Sequence, residues 1–267
     1  MGGPRSGNMR CILPPVLALL AAALLTVPDP AGDARGDGTY TLPTQPAGLA
    51  AALDLRELRA ESVNGKLRLM VGLGAVQNPW NAPLGYSAGV LDIFVKSRLG
   101  GASDLGGLGF TTPPNDGWQY HLHFTGFDQT LDFVPDGSSK PVRKNVALPI
   151  RLTGSTLSID TPIPAGQYSY WVTLSVYSPF TPDGLLRPSV SGGAASLVTP
   201  RSGTGRGSAP IPVDVISGGD QTRAYTLGVL QPVGQTRDRR TILLLGMGIF
   251  GLLLTLVATV AVWRSPR

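Results

Sequence analysis

His121 and His123 are the two histidines of the chain, and they stand two apart in WQYHLHFTGF, residues 118–127. In an extended strand the side chains alternate, so both imidazoles project from one face and can reach a single metal ion. A metal site needs a third ligand, and the sequence singles out no particular aspartate for it. On their own these two residues read as a solvent-facing or sugar-contacting strand face. A second candidate is DPAGDARGDGTY, in which Asp29, Asp33 and Asp37 recur every fourth residue among glycines. Carboxylates gathered this way suit calcium, a hard cation that takes oxygen ligands. The spacing does not fit an EF-hand loop, where ligands alternate and a glutamate closes the set, so a solvated turn is the competing reading.

The aromatic residues offer another chemistry. In QYSYWVTLSVYS, residues 167–178, Trp171 and Tyr177 share a strand face with Thr173 and Ser175. Trp118 and Tyr120 lie on one face of the histidine strand, and Trp80 sits on the stiff turn Asn78-Pro79-Trp80. An aromatic face beside polar groups can stack on the CH groups of a sugar ring while its hydroxyls find hydrogen bonds. Trp80, Trp118, Tyr120, Trp171 and Tyr177 are therefore the candidate carbohydrate contacts. The competing reading is that a second sheet or a loop covers these rings.

Little points to catalysis. No serine sits in a glycine elbow, and the single cysteine, Cys11, lies near the N-terminus in an apolar leader. A glycosidase needs two carboxyls across a cleft, one with a raised pKa. The acids lie mostly in turn-like stretches, and Asp92 alone sits within a strongly apolar strand. No catalytic residues and no enzyme activity are expected.

The elements that must position these residues are short strands. The chain has 267 residues with Gly 35 and Pro 24, a turn-rich composition that favours strands over long helices. Leu67, Leu69, Val71 and Leu73 alternate with more open positions, then Leu91, Ile93 and Val95 do the same. Further strands are expected over 53–60, 144–152, 156–160, 167–178 and 210–215. The segment 126–133 reads as a turn, and 100–112 as a glycine-rich connector. The formal charge of +5 is spread without a basic stripe, so nucleic acid is not an expected partner.

Two apolar stretches flank this region. Residues 1–27 pair Arg5 and Arg10 with an apolar run and read as an export signal, with a cut plausible after Ala23. Thr241–Trp263 carries no charge and is long enough to cross a bilayer at ~1.5 Å per residue. The expectation is a single-pass membrane protein at the cell membrane, its bulk exported, with residues 233–240 as stalk and 264–267 as a cytoplasmic tail.

The series GDARGDGTYTLPTQP, the stretch LRLMVGLGAVQNPWNAPLGYSAGVLDIFVK and GWQYHLHFTGF together resemble the C-terminal binding module of glucodextranase, found also on pullulanase-type surface glycoside hydrolases. The resemblance implies an all-β fold, a β-sandwich like the DOMON and family 9 carbohydrate-binding folds, over residues 28–232. In the resembled hydrolases catalysis belongs to a separate domain. The expected function is non-catalytic carbohydrate binding, of α-glucan or envelope polysaccharide, with calcium as a possible cofactor. The alternative is an envelope protein that docks on a surface-layer or membrane protein.

Overall fold

The computed structural model of the protein describes residues 21–144, 146, 148–200, 208–236 and 239–264. Two antiparallel sheets form a β-sandwich. The first has five strands: β1 (Ala22–Pro28), β2 (Leu55–Val63), β3 (Lys66–Leu73), β8 (Ile150–Thr153) and β9 (Thr156–Pro164), in the order β1-β2-β3-β9-β8. The second has seven: β4 (Gly89–Lys96), β5 (Tyr120–Phe124), β6 (Gln129–Phe133), β7 (Val142–Lys144), β10 (Ser169–Val176), β11 (Asp214–Ile216) and β12 (Val233–Gly234). Its order is β11-β10-β4-β5-β6-β7, with β12 pairing the start of β10. Helices are α1 (Leu49–Ala52), α2 (Gln221–Leu227) and α3 (Arg239–Arg264).

The alternation read from the sequence is the alternation that builds the core. On β3, Leu67, Leu69, Val71 and Leu73 are buried while the residues between them are more open. Leu157, Ile159 and Ile163 repeat the pattern on β9. These meet Leu91 of β4 and Phe124 of β5 across the sandwich. The five-stranded sheet is thus buried on one face only. The central strands of the other sheet differ: every residue of β4 and of β10 is buried. A strand buried on both faces needs a layer on each side. The sandwich supplies one; the 97–119 segment and the chain around Leu230 contribute to the other.

That outer layer is anchored by two of the three tryptophans that the sequence offered as sugar platforms. Trp171 is fully buried, and its indole N–H donates to the Leu230 carbonyl at 2.9 Å. Trp118 is 2 % exposed, and its N–H donates to Asp104 O at 2.7 Å. Both are core plugs between the sheet and its covering loops, because an indole inside must find a partner for its N–H. Tyr120 pairs across to Val95 and packs on the core margin, on the sheet face opposite His121. Trp118 and Trp171 are therefore covered rings, and Tyr120 is half-buried.

The segment 126–133, expected as a turn, contains the strand β6. The stretch 144–152, expected as one strand, has its ends in two, β7 and β8. Helix α2 is capped by Asp220, whose side chain accepts from Arg223 N. The 53–60 strand is preceded by the single turn α1 and runs on to Val63. At the N-terminus, β1 takes in residues 22–27 of the apolar stretch expected as export signal and pairs with β2 from Ala22↔Ser62 to Pro28↔Glu57. A cut after Ala23 would leave Leu25–Pro28 in the sheet. Residues 1–20, with Cys11, and the 265–267 end of the expected cytoplasmic tail lie outside the described residues. Helix α3 contains the apolar run 241–263, with Met247, Phe250, Leu252 and Trp263 exposed. Among the described residues no helix is long and apolar enough to cross a membrane.

Candidate functional site

The strand register decides what faces the covering layer. On β4, Asp92 lies directly opposite His123 of β5, and Phe94 opposite His121. On β6, Thr130 lies opposite His123 and Asp132 opposite His121. On β10, Thr173 lies opposite Asp92 and Trp171 opposite Phe94. Since facing residues across a ladder share a side of the sheet, two rows form: Thr173-Asp92-His123-Thr130 and Trp171-Phe94-His121-Asp132. Asp92 is the partner that the histidine pair lacked on paper.

The three side chains meet at one atom. His121 Nε2 and His123 Nδ1 each lie 2.7 Å from Asp92 Oδ1. Asp92 is 1 % exposed. Burial alone would raise its pKa, but the hydrogen bonds and charges of His121 and His123 outweigh burial and hold the carboxyl at about 2. His123 moves the other way: burial would lower it, while the bond and charge of Asp92 raise it. The second oxygen, Asp92 Oδ2, is buried and has no partner among the described residues. His121 is fixed in orientation, stacked on Phe94 with ring centroids 4.1 Å apart at 8° and set edge-on to Trp118. Gly106 of the covering loop, at φ +66, passes so close that an added Cβ would lie 3.3 Å from His121 Cε1.

This triad floors an open cleft of about 760 Å³. Its walls carry Asp104, Asp128, Asp132, Arg143 and Asp183, and its rim carries Phe127 and Tyr177. The two rim rings contact each other with centroids 5.4 Å apart, and Phe127 is 48 % exposed. Tyr177 also lines a second, more apolar groove of about 250 Å³ with Pro46, Leu49, Pro79, Trp80 and Phe180. Trp80 meets Phe180 edge-on at 6.2 Å, and Phe180 is 84 % exposed. The Trp80 turn is held from within: Asn78 Oδ1 accepts from Ala82 N at 2.8 Å and from the Ser87 hydroxyl at 2.7 Å. Of the five aromatics read from the sequence, Trp80 and Tyr177 are thus together at the surface. Phe127 and Phe180, which that reading passed over, join them. Their signal was weak: each is a lone ring beside a turn, with no periodicity to mark it.

The aspartate series is also rearranged. Asp29 and Asp33 come together with Asp214 of β11, ligand oxygens within 4.8 Å of one another. Asp37 is not in this group; it accepts from Thr39 N and Oγ1 within its own turn. Asp214 is fully buried and accepts from Leu55 N and Val215 N, tying β11 to β2. Burial, then the charges of Asp214, Asp33 and Asp54, push Asp29 up to about 8 against the pull of Arg56. Burial likewise lifts Asp214 to about 7, opposed by the Leu55 hydrogen bond. Asp29 Oδ2 and Asp33 Oδ1 are buried without a partner among the described residues. Asp54 stands beside them, bonded to Gly32 N and Arg56.

A family model describing the C-terminal binding module, SLH-like, of glucodextranase matches residues 24–165, more than half of the chain. The chain belongs to this family. The match to the glucodextranase binding module covers β1 to β9 and so includes Trp80, Asp92, His121 and His123; Trp171, Tyr177 and Asp214 lie beyond it. What matches is a binding module and not a catalytic domain. No curated protein matches the chain.

Proposed function

We propose that the protein is a non-catalytic, membrane-anchored surface module that binds carbohydrate, an α-glucan or an envelope polysaccharide, in the cleft above β4, β5 and β6. The observation that carries this reading is the cleft itself, in a member of a binding-module family. Phe127 and Tyr177 form an aromatic rim, and carboxylates, imidazoles and Arg143 stand below it. That combination suits a sugar, which offers CH groups to a ring face and hydroxyls to charged acceptors. The anchor rests on the charge-free run 241–263 of α3, and export on the basic, apolar N-terminus. In this reading the sandwich lies outside the membrane and residues 264–267 inside.

The test is retention of the full chain, in detergent, on a panel of insoluble and soluble polysaccharides. Retention on one glycan, lost in Tyr177→Ala or Phe127→Ala, supports the reading. Trp171→Ala serves as the contrast: it removes a core ring and costs about 3–5 kcal/mol of stability. A folded chain that no glycan retains overturns the carbohydrate reading. It would favour docking on an envelope protein, for which half-buried Trp80 and exposed Phe180 in the apolar groove are the motivating surface.

Calcium belongs to the same proposal as a structural ion. Asp29, Asp33 and Asp214 present oxygen donors that crowd one another, and a divalent cation would relieve that repulsion.

A further inference from the structure

We propose that Asp92, His121 and His123 are the protein ligands of a site for a late first-row divalent metal ion, such as zinc, with its open position facing the cleft. The inference is independent of the carbohydrate reading, because it concerns only what these three side chains bind.

The donor set comes first. Two imidazole nitrogens and one carboxylate oxygen lie within 4.8 Å of one another. Nitrogen-rich sets of this kind suit zinc and its neighbours, whereas calcium and magnesium take oxygen. Three protein ligands with a fourth position left free is the arrangement of zinc sites that engage an outside molecule. Here the free side is the 760 Å³ cleft, which both imidazoles and Asp92 line.

The unpartnered atom comes second and is independent of the spacing. Asp92 is 1 % exposed, yet its Oδ2 has no partner among the described residues while Oδ1 meets two imidazoles. Buried polar atoms almost always find partners, so a carboxylate with an orphaned oxygen beside two metal-competent nitrogens points to a missing ligand. Thr173 Oγ1, across from Asp92 on β10, is likewise unpartnered. A buried water would also satisfy these two atoms, and the experiment separates water from metal.

The support around the ligands comes third. Ligating histidines usually hand their other ring nitrogen to a carboxylate or carbonyl, which fixes tautomer and direction. Asp132 stands on that side of His121: its Oδ2 lies 3.9 Å from His121 Nδ1, near but outside hydrogen-bond distance, and its Oδ1 accepts from Arg143 Nε at 3.0 Å. Phe94 stacks on the His121 ring, and Gly106 passes close to its Cε1. Binding balances as a proton exchange. Each ring coordinates as a neutral imidazole, through the nitrogen that now faces Asp92 and with one proton on its other nitrogen; a ring that is cationic beforehand releases one proton to solvent, and a neutral ring only shifts its proton between nitrogens.

The full chain is purified in detergent without a histidine tag, stripped with chelator, and titrated with Zn²⁺ by calorimetry and with Co²⁺ by visible absorption. Cys11→Ser is the background, so that the chain's one thiol does not contribute. The expected result is one ion per chain, with the absorption of imidazole-bound cobalt. His121→Gln, His123→Gln and Asp92→Asn should each weaken it by on the order of 100-fold, since losing even an outer partner costs about 10–100-fold. Asp29→Asn should bind as the background does, and excess Ca²⁺ should not displace the ion. His123 lies at the cleft with its side chain 23 % exposed, so His123→Gln is the variant least open to misfolding, and circular dichroism checks it. No zinc bound by the folded background chain, the outcome expected of a water-filled site, overturns the proposal. So does zinc binding that His123→Gln leaves unchanged.

Discussion

Two groups of carboxylates are buried in this sandwich, and burial acts on both alike, yet they end at opposite extremes. Asp92 is held at about 2, while Asp29 is pushed to about 8 and Asp214 to about 7. The neighbours make the difference. Asp92 faces two imidazoles that can carry the compensating charge, so its ionised form is the comfortable one. Asp29 faces Asp33, Asp54 and Asp214, with Arg56 opposing them. The first group is a closed polar network short of one partner; the second is held together only if it keeps protons or gains a cation. Desolvation sets the stakes, and the sign of the nearest charge decides the outcome.

The largest expected effect comes from opening the closed network. Asp92→Ala should cost about 3–5 kcal/mol at neutral pH, because it strands His121 and His123 beside a buried gap. Urea unfolding of the full chain measures it, and a loss under about 1 kcal/mol would show that Asp92 is not the hub.

Next comes calcium at the other group. In chelator at pH 8 the carboxylates must ionise against each other. Free calcium a hundredfold above its Kd would add about 2.7 kcal/mol, and at pH 5 it should add far less, because protons already occupy the site. The pH dependence without calcium has a definite sign. The folded state keeps a proton on Asp29 up to about pH 8, whereas the unfolded chain loses it near its ordinary value of 3.8. Across that window the folded state binds more protons, so stability falls as pH rises. Thermal melts at pH 5, 6.5 and 8, with chelator and with calcium, read both effects. A calcium shift equal at pH 5 and pH 8 would break the link between the two.

The fold was legible where the side-chain period alone decides it. Leu67 to Leu73 and Leu91 to Val95 announced their strands, and His121 and His123 announced their shared face. Hidden from the sequence was everything that register supplies. Asp92 stood out as a carboxylate in an apolar strand, but that it faces His123 depends on how β4 pairs with β5, and Asp214 is separated from Asp29 by most of the chain. Trp171 shows another limit. It shares a strand face with Thr173 and Ser175, a pattern that suits either a binding face or a covered one; the cover over Trp171 comes from a non-periodic segment ending at Leu230, which leaves no pattern to read.

A second variant tests the sign of the second group directly. Asp29→Asn removes one charge from the crowded carboxylates and keeps the shape. In chelator at pH 8 it should stabilise the protein by on the order of 1 kcal/mol, and it should abolish the gain from calcium. The same change made at Asp92 is expected to destabilise. Finding the same sign at both positions would mean that burial, not the neighbouring charge, governs these sites.

The smallest stability effect should accompany the largest binding effect. Phe127 stands at the cleft rim, 48 % exposed, and contacts Tyr177 without entering the core. Phe127→Ala should therefore change the unfolding midpoint by no more than about 0.5 kcal/mol, leave zinc titration at Asp92, His121 and His123 unaltered, and remove retention on the glycan that the parent binds. Floor and rim would then separate cleanly: imidazoles and carboxylate for a metal ion, exposed rings for a sugar. Loss of zinc in Phe127→Ala, with the fold intact, would show instead that the rim and the floor act as one site.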